Sequence, residues 1–207
     1  MRPLLPLLLF LAAAPAAPLP GTVRVRLDTA AGPIVLALNA KRAPRTTANF
    51  LLYVDDGRLD GTQFFRAARR KAGPGGFIQG GIGTEARRVL PPVELEPTSR
   101  TGLRHTDGAI SMARYEATNS GTANFSLLVG ATPSMDARPG ASGYAVFGRV
   151  IGGMDVVRRI LARPTGAGGS GAMKGQLLLR PVTITRAVRL DGVARPTGRP
   201  KPWTLGI

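Results

Sequence analysis

Short extended segments dominate this chain, and that pattern most restricts what it can fold into. Residues 22–28 alternate apolar and polar side chains, as a half-buried strand does. A turn at 29–32 leads into a second strand at 33–38, so the pair reads as a hairpin. Further strands are expected at 63–67, 77–79, 109–113, 125–129, 144–150 and 181–188. Only two helices interrupt them. Residues 43–54 carry Pro44 in the first turn and meet Gly57 as a stop, with Thr47, Phe50, Leu51 and Val54 on one face. Residues 154–162 place Met154, Val157 and Leu161 on an inner face. Strands and helices do not alternate, which disfavours a parallel α/β sheet. The pattern points to a mainly β fold, a closed eight-stranded antiparallel barrel capped by two helices, because closure removes exposed strand edges.

The chain is long enough for one domain, with 207 residues of which 43% are hydrophobic. Aromatics are only 5%, so aliphatic side chains must fill most of the core. Cysteine is absent, which excludes disulfides, thiolate nucleophiles and cysteine zinc sites. The single histidine, His105, excludes multi-histidine metal sites. No metal and no cofactor are expected. The formal charge of +16 would ordinarily suggest nucleic acid or another polyanion. However, of the 28 basic residues only Lys41, Lys71, Lys174 and Lys201 are Lys, and the remaining Arg are scattered. A GC-rich coding sequence produces such an Arg-, Ala-, Gly- and Pro-rich chain without selection for binding, so no nucleic-acid partner is expected.

Met1-Arg2, an apolar run over 4–14 and the small residues Ala14-Pro15-Ala16 have the form of a secretory signal peptide, taken as 1–17. The run is too short to cross a bilayer core of roughly 30 Å as a helix. The other reading is an uncleaved N-terminal anchor. Residues 18–191 form the expected domain, and 192–207 a basic, Pro-rich and mobile tail. The mature chain is expected to be a monomer, free of the membrane and exported to a bacterial periplasm.

Hydrolytic chemistry finds little support. Glu94 and Glu96 are spaced for one face of a strand but read as a solvated strand edge. His105 follows a Thr-Gly turn close to Asp107 and reads as a surface loop residue rather than a base. The segment Phe64-Phe65-Arg66, followed by a loop and Phe77-Ile78-Gln79-Gly80-Gly81, is different. An Arg on one strand and a Gln on the next extended piece could both point outward over one barrel face.

With Gly108-Ala109-Ile110-Ser111-Met112-Ala113, the run 143–150 and Gly153-Met154-Asp155-Val156-Val157, these motifs resemble the cyclophilin family of peptidyl-prolyl isomerases. The helix with Ala43-Pro44 and Thr47-Ala48-Asn49-Phe50 fits as well, so the resemblance runs from about 22 to 191. It is similar to the bacterial branch, in which Tyr stands in place of His, as Tyr144 does here. The resemblance implies isomerisation of X-Pro bonds in proline-containing polypeptides, with Arg66 stabilising the twisted amide. It implies that Gln79 and Asn124 hold the substrate backbone. Phe77, Met112, Phe125, Met135 and Tyr144 would line the proline pocket beside Ala113, the alternative for those five being plain barrel core. Several features depart from the family pattern. The family's Arg and Gln stand closer together than the 13 positions separating Arg66 from Gln79. Gly76 stands where the family has Phe, and Ser134 where it often has Trp. Counting forward from Met112 makes Phe125 the pocket aromatic, whereas counting back from Asp136 makes it Ser126; an apolar wall favours Phe125. These departures motivate an alternative, a catalytically weak proline-peptide binding or chaperone module. A third reading makes 69–71 and the tail contacts for an anionic polymer.

Overall fold

A computed structural model describes residues 20–204. The expected signal segment lies outside the described residues. Strands β1 (Thr22–Thr29) and β2 (Ile34–Asn39) form the expected hairpin. Helix α1 (Pro44–Asp55) follows, and Gly57 ends it at a φ of 68°. Next come β3 (Gln63–Arg69), β4 (Gly76–Gly81), a helical turn α2 (Thr98–Thr101), β5 (Ala109–Met112), β6 (Phe125–Val129) and β7 (Ala145–Gly152). Helix α3 (Met154–Leu161), the two-residue β8 (Thr165–Gly166) and β9 (Leu177–Arg189) complete the order. Every pairing is antiparallel, in the order β1-β2-β7-β5-β6-β4-β3-β9, and β9 pairs back onto β1. Eight strands therefore close a barrel, as the strand count predicts, with β8 a side strand on β9.

Inward positions of β1 and β2 alternate as expected: Val25, Leu27, Ile34, Leu36 and Leu38 are fully buried. Helix α1 adds Phe50, Leu51, Tyr53 and Val54 to the same core, and α3 adds Val156, Val157, Ile160 and Leu161. Met154, expected on the inner face of α3, is only partly buried. The first turn of α1 has no cap from its own preceding residue. Glu96 supplies it from fifty positions away, accepting from the Thr46 N–H at 2.8 Å, the Thr46 hydroxyl at 2.7 Å and the Arg45 N–H at 3.2 Å. A carboxylate suits the positive end of a helix. The expected solvated pair is thus corrected: Glu96 is buried, while Glu94 stays at the surface and pairs with Arg45.

Residues 192–204 of the tail are also corrected, since they dock against the end of α1 and the loop that follows it. The Thr197 N–H and hydroxyl both donate to buried Asp56, which also pairs with Arg58 at 2.8 Å. Burial alone would raise the Asp56 pKa, but these hydrogen bonds outweigh it and hold the carboxyl below its ordinary range. Trp203 sits against two guanidinium groups, 4.6 Å from Arg58 and 5.2 Å from Arg88. In the exposed basic run at 69–71, two side chains have partners within the chain. Arg69 donates to the carbonyls of Leu161, the last residue of α3, and of Arg163 just beyond it, each at 2.8 Å, and Arg70 donates to the Ala131 carbonyl.

Candidate active site

One irregularity in β3 creates the site. Phe64 pairs with Gly80 and Arg66 with Gln79, so Phe65 is an extra residue in the ladder. In a regular strand Phe64 and Arg66 would share a face. The bulge turns them apart. Phe64 enters the core, and Arg66 stands half-buried on the outer face. Gly80 permits this, because a Cβ there would lie 2.7 Å from the Phe64 ring.

Cross-strand register carries the two faces around the barrel. The outward row runs Arg66, Gln79, Ser126, Ser111, Val146 over five strands. The adjacent inward row runs Phe64, Gly80, Phe125, Met112, Ala145. This overturns two expectations. Phe125 is fully buried between Phe50 and Phe64, with ring centroids 5.3 and 5.7 Å away, and Met112 packs in the same core. Both belong to the inward row, so neither joins the outward face of Arg66 and Gln79, and Ser126 occupies the outward position of β6 instead. Gly76 cannot carry the missing aromatic, since its φ is 138° and a Cβ would lie 2.0 Å from the Ala68 carbonyl oxygen.

Outside the barrel wall a second apolar cluster joins Ala109, Leu128 and Val146 with Phe77 and Leu103. Phe77 is half-buried, and the Arg66 guanidinium lies 5.1 Å from its ring centre. Met135 and Tyr144, both half-buried, are joined by the Tyr144 N–H donating to the Met135 carbonyl at 3.1 Å. Tyr144 acts electrostatically on Arg66 and carries the Arg114 guanidinium 5.2 Å over its ring. Ala113 continues the outward face of β5 beyond Ser111, and its N–H donates to the Asn124 carbonyl. Arg66, Gln79, Phe77, Tyr144, Met135 and Ala113 therefore share one side of the molecule. The Asn124 side-chain oxygen accepts from the Gly83 N–H at 2.8 Å and its NH2 donates to the Gly83 carbonyl at 2.9 Å, so the amide fixes the loop after β4.

Arg66 is held on three nitrogens. Nε donates to Gln176 Oε1 at 2.9 Å, Nη1 to Gln79 Oε1 at 2.8 Å and Nη2 to the Ala172 carbonyl at 2.9 Å. Burial lowers its pKa, a weaker effect of Tyr144 opposes this, and a guanidinium stays charged at neutral pH regardless. Among the described residues no carboxylate pairs with it. All three acceptors are neutral, so the positive charge is oriented without being cancelled.

Beneath this face lies His105, buried rather than on a surface loop. Nδ1 bonds Asp136 Oδ1 at 2.7 Å and Nε2 bonds Ser111 Oγ at 2.9 Å. A carboxylate only accepts, so Nδ1 carries the proton and Nε2 accepts from the serine. Both ring nitrogens are satisfied, which lets the ring be buried. Burial pulls the His105 pKa down against the opposing pull of Asp136. Ser111 is nearly inaccessible, so this chain joins β5 to the Met135 turn and presents no exposed nucleophile. Among the described residues no three His, Asp or Glu groups converge as metal ligands.

Known proteins share this fold. The family described as cyclophilin type peptidyl-prolyl cis-trans isomerase/CLD matches residues 22–188. The chain is 40% identical over 169 residues to peptidyl-prolyl cis-trans isomerase cyp18 of Streptomyces antibioticus, covering 79% of this chain and 96% of the relative. It is 38% identical over 142 residues to peptidyl-prolyl cis-trans isomerase A of Dickeya dadantii, covering 67% and 71%. A crystal structure of a Cryptosporidium parvum cyclophilin type isomerase superimposes with a TM-score of 0.63 at 20% identity, covering 83% of this chain and 99% of that one. A second crystal structure of that protein, obtained in the presence of the dipeptide Ala-Pro, gives 0.62 at 20% identity and covers 82% and 99%. With the family matched across all eight barrel strands, this chain belongs to the cyclophilin-type peptidyl-prolyl cis-trans isomerases.

Proposed function

We propose that Arg66 performs the isomerisation by donating to the nitrogen of a twisted X-Pro amide. Resonance gives that bond a rotational barrier of roughly 18–20 kcal/mol. Twisting localises a lone pair on the proline nitrogen, so a preorganised donor aimed there favours the twisted state over either planar form. The observation that carries this reading is the uncancelled guanidinium, oriented by neutral acceptors beside the half-buried ring of Phe77. Gln79 gives its oxygen to Arg66, which leaves its NH2 for a substrate carbonyl. Phe77, Met135 and Tyr144 receive the proline ring, with Ser126 at the base.

Arg66→Ala tests this. Losing one preorganised donor costs about 10²–10³ in rate. Isomerisation of a short Ala-Pro-Phe peptide should fall by that factor while the circular dichroism spectrum stays native. Full activity in this variant would sink the mechanism. Ser126 in place of an aromatic favours a second reading, a weak catalyst that mainly holds proline segments. Tight peptide binding with negligible acceleration by the wild-type chain would select it.

The sequence at 1–17 supports delivery to an exported, periplasmic pool of folding substrates. N-terminal sequencing of the chain recovered from a bacterial periplasm tests this, and an intact Met1 there would refute cleavage.

A further inference from the structure

The glycine-rich segment between β8 and β9 looks like a passive connector in the sequence, yet it grips the guanidinium. Two of the three acceptors on Arg66 come from it, Gln176 Oε1 on Nε and the Ala172 carbonyl on Nη2. Gln176 is itself fixed at both backbone groups. Its N–H donates to the Met173 carbonyl at 3.0 Å, and its carbonyl accepts from the N–H of Ala67, the residue after Arg66, at 2.9 Å. The side chain is thus delivered from a point tied to the same strand that carries Arg66. A guanidinium has five N–H groups. Three are engaged, which leaves one on each terminal nitrogen.

We propose that Gln176 is the positioning residue of the catalytic guanidinium, selecting the rotamer in which those two remaining N–H groups face the substrate. This rests on the reading of Arg66 as the group that meets the amide. The chemistry of the acceptor is specific. A Glu would hold Nε as well or better, but it would place a negative charge against the cation the reaction uses. An Asn is one methylene too short to reach.

Four full-length single variants, Arg66→Ala, Gln176→Ala, Gln176→Asn and Gln176→Glu, and the Arg66→Ala/Gln176→Ala double variant test the proposal. Exchange NMR on a proline peptide separates kcat from KM, and the Arg66 Nε–H resonance reports the anchor. Gln176→Ala and Gln176→Asn should lose the slowly exchanging Nε–H signal. Their kcat should fall about 10- to 100-fold, the scale of a misplaced catalytic group, with KM and thermal midpoint near wild type. Gln176→Glu should keep the Nε–H signal and the midpoint yet also lose kcat. In an Arg66→Ala background the Gln176→Ala change should cost nothing further. Wild-type kcat in Gln176→Ala, alongside an inactive Arg66→Ala, would overturn the positioning role and leave the Arg66 mechanism standing. Wild-type kcat in Gln176→Glu would overturn the requirement for a neutral acceptor. An active Arg66→Ala would instead remove the mechanism on which both rest.

Discussion

Replacing Phe125 decides which face of β6 carries the site. Its ring is fully buried and meets Phe50 and Phe64 edge-on, with interplanar angles of 89° and 80°. Phe125→Ala removes a ring from a close-packed interior. Lost transfer energy plus the cavity left behind amounts to about 3–5 kcal/mol. The two edge-to-face contacts account for about 0.5–1.5 kcal/mol each within that sum. Domains of this kind have about 5–15 kcal/mol of total stability, so the Ala variant stands near the edge of folding. Phe125→Leu refills part of the cavity and should cost roughly half as much. Urea denaturation followed by circular dichroism would read the loss as a lower midpoint with an unchanged slope. Peptide isomerisation by Phe125→Leu, measured well below its midpoint, should stay close to wild type. The reasoning fails if Phe125→Leu keeps its full stability and loses turnover, because that combination marks a pocket wall.

Glu96→Ala should destabilise by about 1–3 kcal/mol, since three donors at the start of α1 lose their acceptor; an unchanged urea midpoint would refute the capping role. Because His105 titrates below its ordinary 6.5 in the folded state, the unfolded chain binds the proton more readily. Stability should therefore fall as pH drops below about 6.5, and His105→Asn should flatten that part of the pH profile of the thermal midpoint. Trp203 is the only tryptophan, so its emission reports the docked tail. Asp56→Ala removes the acceptor of Thr197 and the partner of Arg58 and should shift that emission to the red, whereas an unshifted spectrum would place the docking energy elsewhere.

Much of the fold was legible because local rules coincide with tertiary ones along the strands. Alternation matches burial throughout β2 and over 24–28 of β1, and Pro44 and Gly57 bracket α1 as their backbone preferences require. Arg66 and Gln79 were legible as a pair from their places on neighbouring extended segments, and the motif resemblance gave the pair its role. Their actual contact depends on the bulge at Phe65, for which spacing alone carries no signal. Gln176 left no trace at all, being 110 positions from Arg66 in a segment whose glycines suggest only a connector. Ser126 was half-legible, since one of the two alignment counts reached it.

The sequence by itself determined the strand count, the mainly β class, the absence of thiol chemistry and the order of the family motifs. These depend on residue type and short-range periodicity. Tertiary structure alone decided which side of each strand faces the site, because one extra residue reverses the alternation of β3 past Phe64 and the register then lines up the outward row across five strands. It also decided the charge environment of the reacting face. Arg66, His105, Glu96 and Asp56 look alike in sequence as scattered polar residues. Their partners, brought together only by closure of the barrel, make one an oriented cation, one a buried neutral ring and two of them anchors for distant segments.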